Sequence, residues 1–147
     1  MGYHDLANKL EAAAKQYLEA ETTLTQRGQA AVHAGVDSDD LALPRVVVEA
    51  QDGDEFPLDS GNYTLGLSVS VMSSADGTAP LDDHRARSAN VFDAFANGTL
   101  AVDLTANGTD FHAFGVHSRR YGRTERDDRH WTSQFSCEVY CCPQTIT

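Results

Sequence analysis

Hydrophobic residues near the start of the chain recur with the spacing of an α-helix. Across residues 3–21 the apolar positions repeat every three to four residues, which places them on one stripe of a helix. We therefore predict an amphipathic helix over residues 3–21 that packs against a core through this stripe. The stripe comprises Leu6, Leu10, Ala13, Ala14, Tyr17 and Leu18.

A second helical pattern runs from about Leu81 to Ala96. Asp82 and Asp83 stand in its first turn, where the helix dipole favours negative charge. The pair Asn97-Gly98 then supplies a stop signal, because glycine readily adopts the left-handed conformation that ends helices. The stripe predicted to face the core comprises Ala89, Phe92 and Ala96, widened by Val91 and Phe95.

Alternating apolar and polar residues predict strands elsewhere. The clearest alternation covers residues 62–72, and a short apolar run at 46–48 predicts a buried strand before it. Further strands are predicted at 99–104, 111–118 and 131–142, with Asn107-Gly108 as a hairpin turn between the first two. The resulting order predicts an α+β fold, a mainly antiparallel β-sheet with two α-helices packed on one face.

Residues 22–43 carry no such periodicity and are rich in Thr, Gly and Asp, so we predict a long polar loop there. The chain has 147 residues, enough to bury a substantial core, and contains no repeat or linker. We therefore expect a single domain over residues 1–147.

The charge balance narrows the possible partners. The chain has 11 Lys and Arg against 22 Asp and Glu, a formal net charge of −11, which disfavours loose binding to nucleic acid or anionic membranes. No apolar run is long enough to span a membrane. The first 18 residues contain no apolar segment typical of a signal peptide, so we expect the protein to mature in the cytosol.

No residue pattern indicates catalysis. The histidines do not converge, since His112 and His117 are five apart on a predicted strand and point to opposite faces. The neighbours Asp83 and His84 diverge on a helix, and no nucleophile or phosphate-loop motif is present. We therefore expect no enzymatic activity and no cofactor.

Metal binding is not indicated either. The spacing of Cys137, Cys141 and Cys142 matches no zinc site, and buried thiols that act as small hydrophobic side chains are the simpler interpretation. The acidic clusters at 37–40 and 52–55 complete no calcium loop, which favours solvated surface loops.

One segment concentrates the positive charge. HSRRYGRTERDDRHW, residues 117–131, holds five of the chain's 11 basic residues and lies between two predicted strands, as a hairpin tip or a bent, extended hairpin. Carboxylates at Glu125, Asp127 and Asp128 interrupt it, which disfavours a nucleic-acid surface. Arginine is favoured where carboxylates are held in bidentate contacts at interfaces. The five arginines are Arg119, Arg120, Arg123, Arg126 and Arg129.

Negative charge gathers in a different part of the chain. Residues 37–59 contain eight carboxylates against Arg45 alone, and Asp52, Asp54 and Glu55 form the tightest cluster. An acidic end and an arginine-rich end on one chain suit a head-to-tail contact between copies, which can close into a ring. The alternative is a solvated hairpin with weak local salt bridges. The residues alone leave both interpretations open, and the candidate interface residues are the arginine-rich segment with Asp127 and Asp128, together with Asp52, Asp54 and Glu55.

Several phrases together resemble a known family. LPRVVVEA, GNYTLGLSVSVMSSADG, DDHRARSANVFDAF and RDDRHWTSQFSCEVYC, in this order after an N-terminal helix, resemble the tail terminator (tail completion) proteins encoded among phage head–tail joining genes. The resemblance extends over about residues 3–142 and rests on element order and diffuse phrases. It implies an α+β fold without catalytic residues or cofactors.

The resemblance also implies a function. Members form a ring, usually hexameric, at the head-proximal end of the tail tube, where it ends tube polymerisation and joins the tail to the head. The expected partners are further copies, the tail tube protein and a neck or head-completion protein, with DNA passing through the lumen without specific binding and no membrane involved. The expected location is the tail–neck junction of the virion. The alternatives are a neck connector protein or, less favoured, a small cytosolic enzyme or ligand-binding module.

Overall fold

The structure, a computed structural model, describes residues 6–20, 31–34, 43–55, 60–76, 80–127 and 129–143. Within these ranges it contains three helices and six strands, so the predicted α+β class is confirmed. The helices are α1 (Leu6–Ala20), α2 (Pro80–Phe95) and α3 (Leu100–Ala106). The strands are β1 (Ala31–Ala34), β2 (Arg45–Gln51), β3 (Tyr63–Ser74), β4 (Phe111–Tyr121), β5 (Glu125–Arg126) and β6 (His130–Pro143).

The strands form one mixed sheet in the order β1-β2-β3-β6-β4, and β5 pairs with β6. Only β1 and β2 run parallel; every other pairing is antiparallel. The centre of the sheet is the β3–β6 pair, whose register extends without interruption from Tyr63 opposite Cys141 to Ser74 opposite His130. This long pair sets the distance between the two ends of the molecule.

A single hydrophobic core lies between the helices and one face of the sheet. Every residue of the stripe predicted for α1 is buried, which confirms that helix and its inward face. In β3 the alternation is also confirmed, because Leu65, Leu67, Val69 and Val71 are 0–1% exposed. Burying such side chains contributes roughly 1.5–3 kcal/mol each, which makes this face the main source of stability.

The other face of the sheet, here called the open face, is polar and consists largely of small residues. In β3 it is formed by Thr64, Gly66, Ser68 and Ser70, the residues that alternate with the core positions. Residues of α1, α2 and α3 belong to the core cluster on the opposite side. No described helix therefore packs on the open face, although Arg45, Val47 and Ser68 on this face are buried.

The strand predicted at 99–104 is wrong, because these residues lie mostly in α3. Leu100 and Leu104 are completely buried, whereas Val102 between them is 67% exposed. Two buried residues four positions apart, with an exposed residue midway between them, are typical of a helix, because a strand would bury all three. With only two buried positions, the sequence pattern could not distinguish this helix from an alternating strand. The predicted Asn107-Gly108 hairpin is wrong for the same reason: Asn107 ends α3, and the chain then enters β4.

The predicted loop at 22–43 contains a strand. Residues Ala31–Ala34 form β1, which adds a parallel edge to β2. Four residues are too few for periodicity to reveal, and only pairing with β2 makes them a strand. The rest of this prediction lies outside the described residues, apart from Leu43.

The inward stripe predicted for α2 is wrong in part. Ala89 and Ala96 are exposed, whereas Val91 and Phe95 are buried as expected. The remaining buried positions of the helix are polar, His84 and Ser88, which hydrophobic periodicity does not detect. No helix in the described ranges is long and apolar enough to cross a membrane.

Candidate protein–protein interface

The arginine-rich segment forms the far end of a long, bent hairpin. Strand β4 pairs with β6 as far as Tyr121 opposite Phe135, and β5 resumes the pairing with Arg126 opposite Trp131. At the tip the backbone N–H of Asp127 donates to the carbonyl oxygen of His130 at 3.0 Å. The bent, extended form of the predicted hairpin is therefore the one observed.

Arg119 does not belong to the exposed tip. Its Nε donates to the carbonyl oxygen of Phe95 at 2.9 Å, and its Nη2 donates to that of Asn97 at 3.0 Å. These carbonyls stand at and just beyond the end of α2, where helical oxygens lack intrahelical partners and the dipole favours positive charge. Arg119 therefore caps α2 and holds the hairpin against it.

A β-bulge places the next arginine, Arg120, on the opposite face of the hairpin from Arg119. The register of β4 against β6 shifts between His117 and Arg120, and Ser118 within the shift has a φ of 54°. Arg120 lies opposite Ser136, in the middle of β6 and exposed. Two neighbouring arginines thus serve opposite sides of the hairpin, and neither is at its tip.

The remaining three arginines form what we call the basic tip: Arg123, Arg126 and Arg129, all exposed. The guanidinium carbon of Arg126 lies 5.5 Å from the centre of the Trp131 ring, a cation–π contact that holds this side chain in place. In the part of the chain that the structure describes, the side chains of Arg123 and Arg129 form no ion pair or hydrogen bond. The Nε1 of Trp131 is buried without a hydrogen-bond partner.

Asp127 shapes the tip through contacts of both its carboxylate oxygens, and its side chain is exposed. One carboxylate oxygen accepts hydrogen bonds from the backbone N–H groups of Arg129 and His130, both at 2.8 Å. The other lies 3.0 Å from Nε2 of His130. The backbone N–H groups of Arg129 and His130 lower the pKa of Asp127, because they stabilise its charged form. Asp128, also predicted as an interface residue, lies outside the described residues.

The acidic cluster is fixed to the start of β3, and we call it the acidic end: Asp52, Asp54 and Glu55. The N–H of Thr64 donates to the carbonyl oxygen of Asp54 at 2.9 Å. Gly53 lies so close to β3 that a Cβ atom there would be 1.5 Å from the carbonyl oxygen of Thr64. Asp52 and Asp54 are exposed.

Glu55 has a local role within this acidic end. Its Oε2 accepts a hydrogen bond from the N–H of Gly61 at 2.9 Å, and the residue is half-buried. The two exposed aspartates are therefore the groups of the acidic end that project into solvent.

The acidic end and the basic tip lie at opposite ends of the sheet. The acidic end adjoins Tyr63, which pairs with Cys141, whereas the basic tip adjoins Ser74, which pairs with His130. Strand β3 between them has 12 residues, and at a rise of roughly 3.4 Å per residue it spans about 35–40 Å. The charge separation seen along the sequence is thus a separation in space.

A buried polar network connects the hairpin to α2, and sequence reasoning missed it. His84 lies with Nδ1 2.8 Å from Oγ of Ser73 and Nε2 2.8 Å from Oγ of Ser133. Thr124, just before β5, extends the network through a 2.7 Å hydrogen bond to Ser133. Arg87 donates to Ser73 at 2.6 Å. The available signal was polar residues at core-facing positions: Ser73 continues the buried alternation of β3, and Ser133 that of β6.

The environment of His84 keeps its ring neutral. Burial, together with the positive charge of Arg87, lowers its pKa from 6.5 to about 4. Ser73, His84 and Ser133 are 0–3% exposed, so solvent and solutes do not reach these hydroxyls. The network therefore acts as a structural connection between α2, β3 and β6.

The thiols are similarly inert. Cys137 and Cys141 are buried, and burial raises the pKa of each to about 12. The described residues contain no group of His, Cys, Asp or Glu side chains arranged to hold a metal ion.

No protein-family model matches the chain, and a comparison with curated proteins gives no match. The function proposed next is therefore supported by the geometry of these residues and by the resemblance in element order noted above.

Proposed function

We propose that this chain is a structural subunit that binds copies of itself head to tail, with the basic tip of one copy against the acidic end of the next. The contact closes into a ring at the head-proximal end of a phage tail tube. The observation that carries the proposal is the location of the two charged groups at opposite ends of the long β3–β6 pair.

The chemistry of the two ends is complementary. Arg123 and Arg129 offer planar guanidinium groups, which bind carboxylates through paired hydrogen bonds, and Asp52 and Asp54 offer exposed carboxylates. None of these four side chains has a polar partner within the described residues. A contact between copies therefore breaks no ion pair among the described residues.

Opposite charges can be paired in two ways. An antiparallel two-fold dimer would place each basic tip against the partner's acidic end but would stop at two copies, whereas a head-to-tail contact can continue into the ring that the resemblance implies. A contact between different ends pairs opposite charges, and it forms a closed ring when the rotation between successive copies divides a full turn. The fixed hairpin and the fixed acidic end supply two rigid surfaces for such a contact.

The ring's role is suggested by the resemblance to tail terminator proteins. We propose that it caps the tail tube, ends its polymerisation and presents a surface to a neck or head-completion protein. The net charge of −11 suits a lumen through which DNA slides, because phosphate binding depends on neutralisation by Lys and Arg.

Light scattering on the purified chain tests the head-to-tail contact. At low ionic strength and rising concentration, we expect the mass to increase to more than twice 15.9 kDa and to fall again as salt is added. Changing both Arg123 and Arg126 to Ala should keep the protein monomeric. The control is Arg85→Ala, an exposed arginine of α2 that is not part of the basic tip, which should assemble normally.

Two results would contradict the proposal. One is a wild-type protein that stays monomeric at every concentration and salt level. The other is a doubly substituted protein that still forms rings and still joins tails to heads. An electron cryo-microscopy view of the particle neck then tests the proposed location, including the alternative of a connector nearer the head.

A further inference from the structure

A polar depression of about 230 Å³ lies on the open face, nearer the acidic end than the basic tip, since Gln51 of its lining directly precedes Asp52. We call it the trough. It crosses four neighbouring strands, β2, β3, β6 and β4, and two core residues, Leu67 and Cys137, complete its lining. Its polar or small lining residues are Gln51, Gly66, Ser68, Ser118, Arg120, Ser136 and Glu138.

The trough exists because short side chains lie between long ones. Gly66 has no side chain, and Ser68 and Ser136 face each other across β3 and β6. On either side stand the longer Gln51 and Arg120. A larger residue in place of Gly66, Ser68 or Ser136 would fill the depression.

The bulge in β4 directs a cation into this depression. Without the register shift after His117, consecutive residues of β4 would alternate regularly, and Ser118 would not adopt its positive φ of 54°. A non-glycine residue in this conformation carries strain, and such strain often accompanies functional sites. Here it accompanies the placement of Arg120 on the lining of the trough.

The polar side chains of the trough lack partners among the described residues. Across the described residues, none of its six polar side chains forms a hydrogen bond or ion pair, although they converge on one depression. Arg120 lies opposite Ser136, so Glu138 is its diagonal neighbour, at a Cα separation of about 7–8 Å. The two opposite charges are therefore close but not bound to each other.

We propose that the trough is a binding site for a small zwitterion of the amino-acid class. Its carboxylate binds the guanidinium of Arg120, and its ammonium group binds the carboxylate of Glu138. The serine hydroxyls and the amide of Gln51 supply further hydrogen bonds. A purely anionic ligand would be repelled by Glu138, and a purely cationic one by Arg120.

The size of the trough agrees with this class. Pockets for drug-sized molecules have volumes of about 300–1,000 Å³ and bury most of the ligand. A depression of about 230 Å³ suits a smaller molecule. The site shares no residue with the basic tip or the acidic end, although Gln51 directly precedes Asp52.

Titration followed by ¹⁵N NMR tests this proposal. The probes are glycine, β-alanine and 4-aminobutyrate, which separate the two charges by increasing distances, with acetate and methylammonium as single-charge controls. We expect at least one zwitterion to shift the amide signals of Gly66, Ser68 and Ser136, and to bind more tightly than either control. Signals of the basic tip should not move.

Substitutions of the two charged residues complete the test. Arg120→Ala and Glu138→Gln should each weaken binding of the best probe about tenfold or more, because each removes a charge-assisted contact. Both residues are exposed, so unchanged signals elsewhere in the spectrum will verify the fold. Arg85→Ala, outside the trough, should bind the probe as the wild type does.

The proposal is overturned if no zwitterion shifts the trough signals at its highest soluble concentration. It is also overturned if acetate or methylammonium binds as tightly as the zwitterions, or if the two substitutions leave the affinity unchanged. None of these outcomes bears on ring formation, which is measured separately by light scattering.

Discussion

Arg119 joins the hairpin to α2 through a 2.9 Å hydrogen bond from its Nε to the carbonyl oxygen of Phe95, in the last turn of the helix. This single side chain satisfies an oxygen that the helix itself leaves unpaired. It adds to the aromatic contacts around Phe135 and to the His84–Ser133 hydrogen bond, which connect the same two elements. The position of the basic tip therefore depends on a residue that is itself not part of the tip.

Replacing Arg119 with Ala should lower the free energy of unfolding by about 1–3 kcal/mol, because charged hydrogen bonds to two carbonyls are lost. Urea denaturation measures the change. Arg123→Ala, which removes an arginine without such contacts, should change stability by less than about 0.5 kcal/mol. Equal effects for the two substitutions would show that Arg119 does not anchor the hairpin.

The buried His84 should make the protein sensitive to acid. Its pKa is about 4 in the folded protein and 6.5 when unfolded, so between these values the unfolded chain binds more protons. This contribution to stability is complete above pH 6.5 and is lost as the pH falls towards 4. The expected loss is on the order of 1–3 kcal/mol.

A matched variant separates His84 from the many carboxylates that titrate in the same range. His84→Gln keeps hydrogen-bonding groups near Ser73 and Ser133 but does not titrate. Its free energy of unfolding should therefore depend less steeply on pH between 6.5 and 4 than that of the wild type. An identical slope in both proteins would refute this role for His84.

Because Leu100–Ala106 form α3, substitutions of Leu104 and Val102 should have different effects on stability. Leu104→Ala should cost about 2–5 kcal/mol, because it leaves a cavity in the core. Val102→Ala should change the free energy of unfolding by less than about 0.5 kcal/mol, since this side chain is 67% exposed. Thermal or urea denaturation will compare them. A strand over 99–104 would instead bury both, and both substitutions would then be costly.

The sequence predicted most of the fold wherever periodicity was long. Fifteen residues of α1 and twelve of β3 repeat their patterns often enough to identify both the element and its inward face. The segment around Leu100 and Leu104 has too few buried positions to distinguish a helix from a strand. In α2 the pattern failed because His84 and Ser88 occupy core positions, which polar residues do only when their hydrogen bonds are made within the protein.

The candidate site was predictable in charge but not in geometry. The sequence placed five arginines in one segment, yet it could not show that Arg119 turns towards α2 and Arg120 towards the open face. That division depends on a bulge in the pairing of β4 with β6, which is a property of two strands together. The separation of the acidic end from the basic tip likewise depends on the register of β3 with β6.

The most direct test of the head-to-tail contact exchanges the charges of its two sides. One variant carries Arg123→Glu and Arg129→Glu, and the other carries Asp52→Lys and Asp54→Lys. Each variant alone presents like charges at both sides of the contact, so each should remain monomeric at low salt in light scattering. Mixed in equal amounts, they present opposite charges at every contact and should assemble as alternating copies, into complexes larger than the dimer that a two-fold contact would give. A mixture that stays monomeric while the wild type assembles, or variants that each assemble alone, would contradict the account.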